Sequence, residues 1–320
     1  LYLVQKIVTS FIPDPQINLA TMPSVKTDVL EIHYLESGAQ DGWPVILSHG
    51  FPYSAEAFTK VAPLLAAQGA RVLIPYLRGY GKTRFLSGDE SHTGQQAALA
   101  LDLIGFMDAL GLDKAILAGF DWGGLASCAA TALFPERVEG LVCYGGYDIY
   151  DPATSSKPAD PTLEKVMWYQ HLFQSARGKD CLQTSRNDIA RLLWAEWSPS
   201  YQTPSDAEEA FFTAFQNPDF VNVVISVYRH SMGNWPGEQK YADLERSLTS
   251  RPAIKVPAVT VDGSLDPLKP GGTQMGTRDT FVGKHEHWTL SIGHAFPLEA
   301  PDDFAKAVLT VKAMSDSATD

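Results

Sequence analysis

The chain has 320 residues, a formal net charge of −12 and no Lys/Arg cluster, which argues against nucleic acid or an anionic membrane surface as a partner. The length suits one large α/β domain with an insertion, or two modest domains, and the 45% of hydrophobic residues supplies ample core, yet no apolar run reaches the ~20 residues of a membrane span. Three scattered cysteines, Cys128, Cys143 and Cys181, have no metal-type spacing, and the first two lie in apolar runs suited to a core.

In chain order, Leu1–Phe11 is mildly apolar without the layout of a signal peptide, so a cytoplasmic location is expected. The first residue is not Met, which leaves room for a missing leading segment. Val29–Leu35 alternates, as a more exposed edge strand would. Three buried strands then alternate with helices: Val45–Ser48 with Ala55–Ala67, Val72–Pro75 with a helix carrying Ala100, Leu103, Ile104, Met107 and Leu110 on one face, and Ala115–Phe120 with Gly123–Phe134. A fourth buried run is Val138–Tyr144. This alternation predicts a mostly parallel, doubly wound sheet with right-handed crossovers.

The pattern breaks after residue 150. A Pro-, Ser- and Ala-rich linker covers Asp151–Pro161, and helices are predicted at Leu163–Ala176, Asp188–Trp197, Asp206–Gln216 and Asp219–Met232. Strand and helix resume at Val256–Asp262, His285–Ile292 and Asp302–Met314. The expected organisation is a core of residues 1–150 and 246–320, split by a helical insertion at 151–245 after the fourth buried run.

The sharpest chemical signal is Gly119-Phe120-Asp121-Trp122-Gly123-Gly124, between a buried strand and a helix. This is the pattern of a strand–turn–helix elbow that lifts a nucleophile above the sheet, with Asp121 in the central place. A carboxylate attacks saturated carbon to form an alkyl ester, where a serine would attack a carbonyl. The plain alternative for Asp121 is a helix N-cap. His294, in Gly293-His294-Ala295-Phe296-Pro297, follows the last strand and could take a proton from water; its plain alternative is a surface loop histidine. The acid that orients it should follow the strand at Val256–Val261, where Asp262 and Asp266 both qualify and the turn at Gly263 favours Asp266. In His49-Gly50-Phe51-Pro52, His49 is expected to shape the loop rather than act as a base. The N–H groups of Phe51 and Trp122 would form an oxyanion hole. His285 and His287 alternate on one strand and are expected to be surface residues.

Taken together, His49-Gly50-Phe51-Pro52, Leu77-Arg78-Gly79-Tyr80-Gly81, Asp121-Trp122-Gly123-Gly124, Asp266 and Gly293-His294 resemble the epoxide hydrolases of the α/β-hydrolase fold, from about Val25 to Val311. The elbow and loop motifs are shared with haloalkane and haloacetate dehalogenases. Such epoxide hydrolases hold the epoxide oxygen with two tyrosines of a helical cap. The resemblance carries these onto Tyr169, in Trp168-Tyr169-Gln170-His171-Leu172-Phe173, and Tyr228, in Tyr228-Arg229-His230-Ser231-Met232-Gly233-Asn234-Trp235. Tyr228 shares a helical face with Val221, Val224 and Ile225, so core packing is the competing role.

Four positions depart from the family's habit: Phe120 where His is common, Tyr53 where an acid or Gln is common, Tyr76 where Asp is common, and Ala295 where an aromatic is common. A substrate pocket lined by His49, Pro52, Tyr53, Phe120 and Trp168 is expected, with a small-molecule epoxide as ligand. Two alternatives stand beside this reading. One is a dehalogenase whose Trp122 and Trp168 indoles receive the halide, although Trp122 replaces the arginine that haloacetate enzymes place after the nucleophile. The other is a non-catalytic ligand-binding protein of the same fold. No metal or organic cofactor is implied, and the fold admits a monomer or a homodimer.

Overall fold

The computed structural model describes residues 22–88, 92–155, 157–273 and 279–319. Leu1–Phe11 lie outside the described residues. The strands are β1 (Ser24–Lys26), β2 (Leu30–Ser37), β3 (Trp43–Ser48), β4 (Ala70–Pro75), β5 (Arg84–Phe85), β6 (Ala115–Gly119), β7 (Val138–Tyr144), β8 (Ala258–Gly263) and β9 (His285–Leu290). They form one sheet in the order β1-β2-β4-β3-β6-β7-β8-β9, with β5 also on β2. From β4 to β9 every pairing is parallel, whereas β1, β2 and β5 pair antiparallel. The central strands are covered on both faces, which is why β3, β6 and β7 read as apolar runs. Each of their buried Val, Leu and Ile side chains contributes ~1.5–3 kcal/mol relative to exposure.

The core helices are α1 (Val61–Ala66), α2 (Gln96–Ala109) and α3 (Trp122–Leu133). Between β7 and β8 come α4 (Pro152–Ser155), α5 (Pro161–Val166), α6 (Trp168–Leu172), α7 (Ala176–Trp197), α8 (Ser205–Ala214), α9 (Phe220–Ser231) and α10 (Ala242–Thr249). The chain ends with α11 (Phe296–Glu299) and α12 (Pro301–Thr319). Helices α2, α3 and α10 pack together on one side of the sheet, and α1 packs on α12 on the other. No helix among the described residues is long and apolar enough to cross a membrane. Cys128 and Cys143 are buried, as their apolar settings imply.

Several expectations are corrected. β2 is an interior strand, because β1 pairs on one side of it and β4 on the other, with β5 as a further partner; β1 and β5 span only three and two residues, too short for a periodic signal. The helix expected over Ala55–Ala67 is a 3-10 turn at Ala55–Phe58 followed by α1. Leu163–Ala176 divides into α5 and α6, where Met167 leaves helical geometry. Asp188–Trp197 is only the second half of α7, whose first half is mostly polar and therefore weakly periodic. Ser175 caps α7 by accepting from Gly178 N–H at 3.0 Å.

Candidate active site

The site lies at the C-terminal ends of the parallel strands, where loops after β3, β6, β7, β8 and β9 converge. Asp121 follows β6 directly and sits at φ 53°, ψ −130°, a region that side-chain-bearing residues rarely occupy. The flanking glycines make room for this turn rather than taking the unusual angle themselves. A Cβ on Gly119 would stand 2.4 Å from Gly123 backbone atoms, and one on Gly123 would stand 1.9 Å from Ser48 O. Although Asp121 precedes α3, its side chain makes no capping bond. Its Oδ1 instead accepts from Phe51 N–H at 2.7 Å, and its Oδ2 lies 3.3 Å from His294 Nε2. A Cβ on Gly50 would stand 2.1 Å from Asp121 Oδ1 and 2.6 Å from the Trp122 nitrogen. Glycine alone lets that loop approach the carboxylate so closely.

His294 is buried, and its Nδ1 meets Asp266 Oδ2 at 2.8 Å. Asp262 turns elsewhere, accepting from Thr273 N–H and lying 3.3 Å from His287 Nε2. His287 and His285 share a face as expected, and both rings hydrogen-bond Thr260 Oγ1. Burial works against a charge on His294, but Asp266 and Asp121 outweigh it and carry its pKa up to about 10. Burial likewise works to raise the Asp266 carboxyl; the His294 charge and hydrogen bond, with Leu268 N–H, leave it below the usual range.

His49 is fully buried. Its Nδ1 is 3.2 Å from Gly50 O, and its Nε2 accepts from Leu77 N–H at 3.2 Å. Burial pushes it down to about 3, so the ring is neutral and shapes the loop. Arg78 has the same structural character: its guanidinium grips Asp102 with two 2.6 Å bonds and Thr93 O with a third.

Above the nucleophile, the Tyr169 and Tyr228 rings meet edge to face at 5.2 Å, and the Tyr169 hydroxyl accepts from Gln170 Nε2 at 3.0 Å. Burial raises both phenols, as does the nearby charge of Asp121, so both remain protonated donors. The Phe51 ring stacks on Trp122 at 5.7 Å and on Tyr169 at 6.2 Å.

A cavity of about 1010 Å³ is lined by Asp121, Trp122, His294, Tyr169 and Tyr228, together with residues from the inserted helices. The expected pocket residues are placed differently: His49, Pro52, Tyr53, Phe120 and Trp168 do not line it. Tyr53 and Phe120 pack on each other at 5.1 Å behind the nucleophile, with Trp194 and Phe211 against Tyr53. Pro52 O accepts from the Trp194 indole. Trp168 precedes Tyr169 on a helix and therefore points elsewhere, donating its indole N–H to Glu196 at 3.0 Å. Tyr76 is likewise buried, hydrogen-bonded to Glu56.

Sequence reasoning missed three supports of the His294 loop. The Tyr144 hydroxyl contacts Asp266 Oδ2 at 3.1 Å and Gly293 O. Ser198, at the end of α7, accepts from His294 N–H at 3.2 Å and donates to Glu299 at 2.7 Å. Glu299 in turn accepts from Gly293 N–H at 2.8 Å and Ala295 N–H at 3.0 Å. No local pattern marks these residues; an apolar strand ending in tyrosine was the one visible hint.

A family model for the alpha/beta hydrolase fold matches residues 44–235. A solved structure of a candidate epoxide hydrolase from Klebsiella pneumoniae superposes with a TM-score of 0.89 at 39% identity, covering 92% of this chain and 98% of that one. Epoxide hydrolase 3 of Siraitia grosvenorii is 32% identical over 188 residues, 59% of this chain and 50% of that protein. A haloalkane dehalogenase of Psychrobacter cryohalolentis is 34% identical over 108 residues, 34% of this chain and 35% of that protein. The matches to the first curated relatives span between a quarter and a half of those proteins' own length.

Proposed function

Because the chain belongs to the α/β-hydrolase-fold family, we propose that it is an epoxide hydrolase that forms a covalent ester on Asp121. The observation that carries this reading is the setting of the carboxylate. One oxygen is held by Phe51 N–H, the other faces His294, and both lie in a cavity that the phenols of Tyr169 and Tyr228 also line. With Oδ1 held, Oδ2 attacks an epoxide carbon from behind, and the C–O bond of the ring breaks. Tyr169 and Tyr228 donate to the departing oxygen, which is a poor leaving group until it is protonated or hydrogen-bonded.

The second step opens the ester. His294, oriented by Asp266, takes a proton from water, and the hydroxide adds to the ester carbonyl carbon. Phe51 N–H and Trp122 N–H stabilise the oxyanion. Collapse breaks the acyl C–O bond, the proton held by His294 passes to the departing alkoxide, and the water's remaining proton replaces the one the phenols gave, so the vicinal diol leaves and the Asp121 carboxylate is restored. The chemistry as written draws on this chain's side chains and water alone.

Halide displacement would use the same nucleophile. Trp168, one of its two expected halide donors, spends its indole N–H on Glu196 and does not line the cavity. That favours the epoxide over the haloalkane. Intact-protein mass spectrometry of His294→Gln tests the reading, since this variant should alkylate but not hydrolyse the ester. Exposure to an epoxide panel should add the mass of a whole epoxide, mapped to Asp121. Adducts seen only with haloalkanes or haloacids, lacking the halogen, would overturn it in favour of dehalogenation.

A further inference from the structure

The proposed reaction leaves part of the cavity wall unused. Past Tyr144 the lining continues with Asp148, Tyr150, Leu268 and Lys269. Lys269 lies three residues after Asp266, and Asp148 four after Tyr144, so β7 and β8 each deliver one charge to this wall. The ammonium is fixed by Asp148 Oδ1 at 2.8 Å and Gly145 O at 2.7 Å. The slot is built for it: Gly145 takes φ 90°, and a Cβ there would stand 2.0 Å from Lys269 Nζ. Both side chains keep contact with the cavity, at 28% and 24% exposure for Lys269 and Asp148.

An ammonium has three donors, and two have acceptors among the described residues. The Asp148 carboxylate has one oxygen engaged by Lys269. The pair therefore offers a donor and an acceptor side by side on the wall of the cavity that Asp121 and His294 also line. The pair is itself neutral. The carboxylates of Asp148, Asp121 and Asp266 outnumber the Lys269 ammonium and the His294 imidazolium, so a substrate carboxylate is repelled, and a substrate cation would compete with Lys269 for Asp148 and break the pair. A neutral hydroxyl or carbonyl is not repelled and does not break the pair. The surrounding wall is mainly apolar, with Leu125, Leu268, Met167, Val227 and Met232, while Lys157, Glu164 and His171 also line it, and its volume is at the top of the range for drug-sized ligands.

We propose that the Asp148–Lys269 pair determines specificity, and that the substrate is a long, mainly apolar epoxide bearing an uncharged hydroxyl or carbonyl group on one substituent. This rests on the epoxide reading of the same cavity and names its substrate class. The pair does not touch the reacting atoms; it fixes the far end of the molecule so that the epoxide carbon faces Asp121.

The test compares kcat/KM for a matched set of trans-epoxides. Each has a phenyl group on one carbon and, on the other, an alkyl chain ending in methyl, hydroxymethyl, carboxylate or ammonium. The hydroxyl-ended member should lead the methyl-ended one by about tenfold, the value of one hydrogen bond to a charged group. Both charged members should fall below the hydroxyl-ended one. In the double variant Asp148→Leu/Lys269→Met, which leaves no charge unpaired, the hydroxyl-to-methyl ratio should collapse toward one. A ratio that survives the double change overturns the proposal, as does a wild-type preference for the methyl-ended or a charged member, which is readable without any variant. Alkylation of Asp121 by haloalkanes with no epoxide in the set turned over would instead overturn the epoxide reading beneath it.

Discussion

Esterification of Asp121 should convert His294 from a protonated ring into a base. In the resting protein the imidazole stands between two carboxylates, 2.8 Å from Asp266 and 3.3 Å from Asp121. They carry its pKa up to about 10 against burial, so at neutral pH the ring holds both protons and can take none from water. Alkylation turns the Asp121 carboxylate into a neutral ester, and the attraction across 3.3 Å is lost. At an effective dielectric of about 20 that attraction is on the order of 5 kcal/mol, roughly a thousandfold or more in proton affinity. The loss is large enough to bring the ring toward neutrality while Asp266 still holds its orientation. The base would thus appear only when there is an ester to hydrolyse.

Two measurements check this. Single-turnover experiments with excess enzyme and a chromophoric epoxide, quenched for intact mass across a pH series, give the rates of ester formation and decay separately. Ester decay should rise with pH through a midpoint well below the resting titration of His294, followed by NMR in the free protein. Asp121→Asn, a neutral mimic of the ester, should lower that resting titration in the same direction. If Asp121→Asn leaves His294 titrating at about 10, or if ester decay follows that same midpoint, the Asp121 charge does not hold the ring protonated and the argument fails.

Other outcomes follow from single contacts. Gly50→Ala places a Cβ 2.1 Å from Asp121 Oδ1; kcat should drop by about a hundredfold or more, the size of a lost oxyanion-hole donor, with a melting curve to show that the protein is still folded. Tyr228→Phe should slow alkylation by roughly ten- to a hundredfold without abolishing it, because Tyr169 remains; an unchanged burst rate would remove Tyr228 from the reaction. Tyr144→Phe takes a hydrogen bond from Asp266 and should slow ester decay about tenfold more than ester formation, a split that a purely structural residue would not produce. The pKa of His294 is raised on folding from 6.5 to about 10, so its contribution to stability is complete below pH 6.5 and lost as pH climbs through about 10. The melting temperature should fall across that window, and His294→Gln should flatten the fall.

Legibility in the sequence divides along a physical line. The elbow could be read because close packing leaves one residue type at Gly119 and Gly123, and a wrong choice collides with backbone at 2.4 Å or less. The parallel strands could be read because burial on both faces demands unbroken apolar runs. The rest of the cavity wall, beyond Asp121, Trp122, His294, Tyr169 and Tyr228, could not, because nearness along the chain is a poor guide to facing. Phe120 and Tyr53 adjoin site residues yet turn behind the nucleophile, and Trp168 adjoins Tyr169 yet bonds to Glu196. On a strand, neighbours point to opposite faces; on a helix they diverge by about 100°. Tyr144, Asp148 and Lys269, which also reach the cavity, are brought together by the pairing of β7 with β8 rather than by any motif. Chemistry set by one turn is therefore written locally. Specificity set by the meeting of two strand ends becomes visible only when the sheet is assembled, so relatives that share the elbow can differ in what they accept.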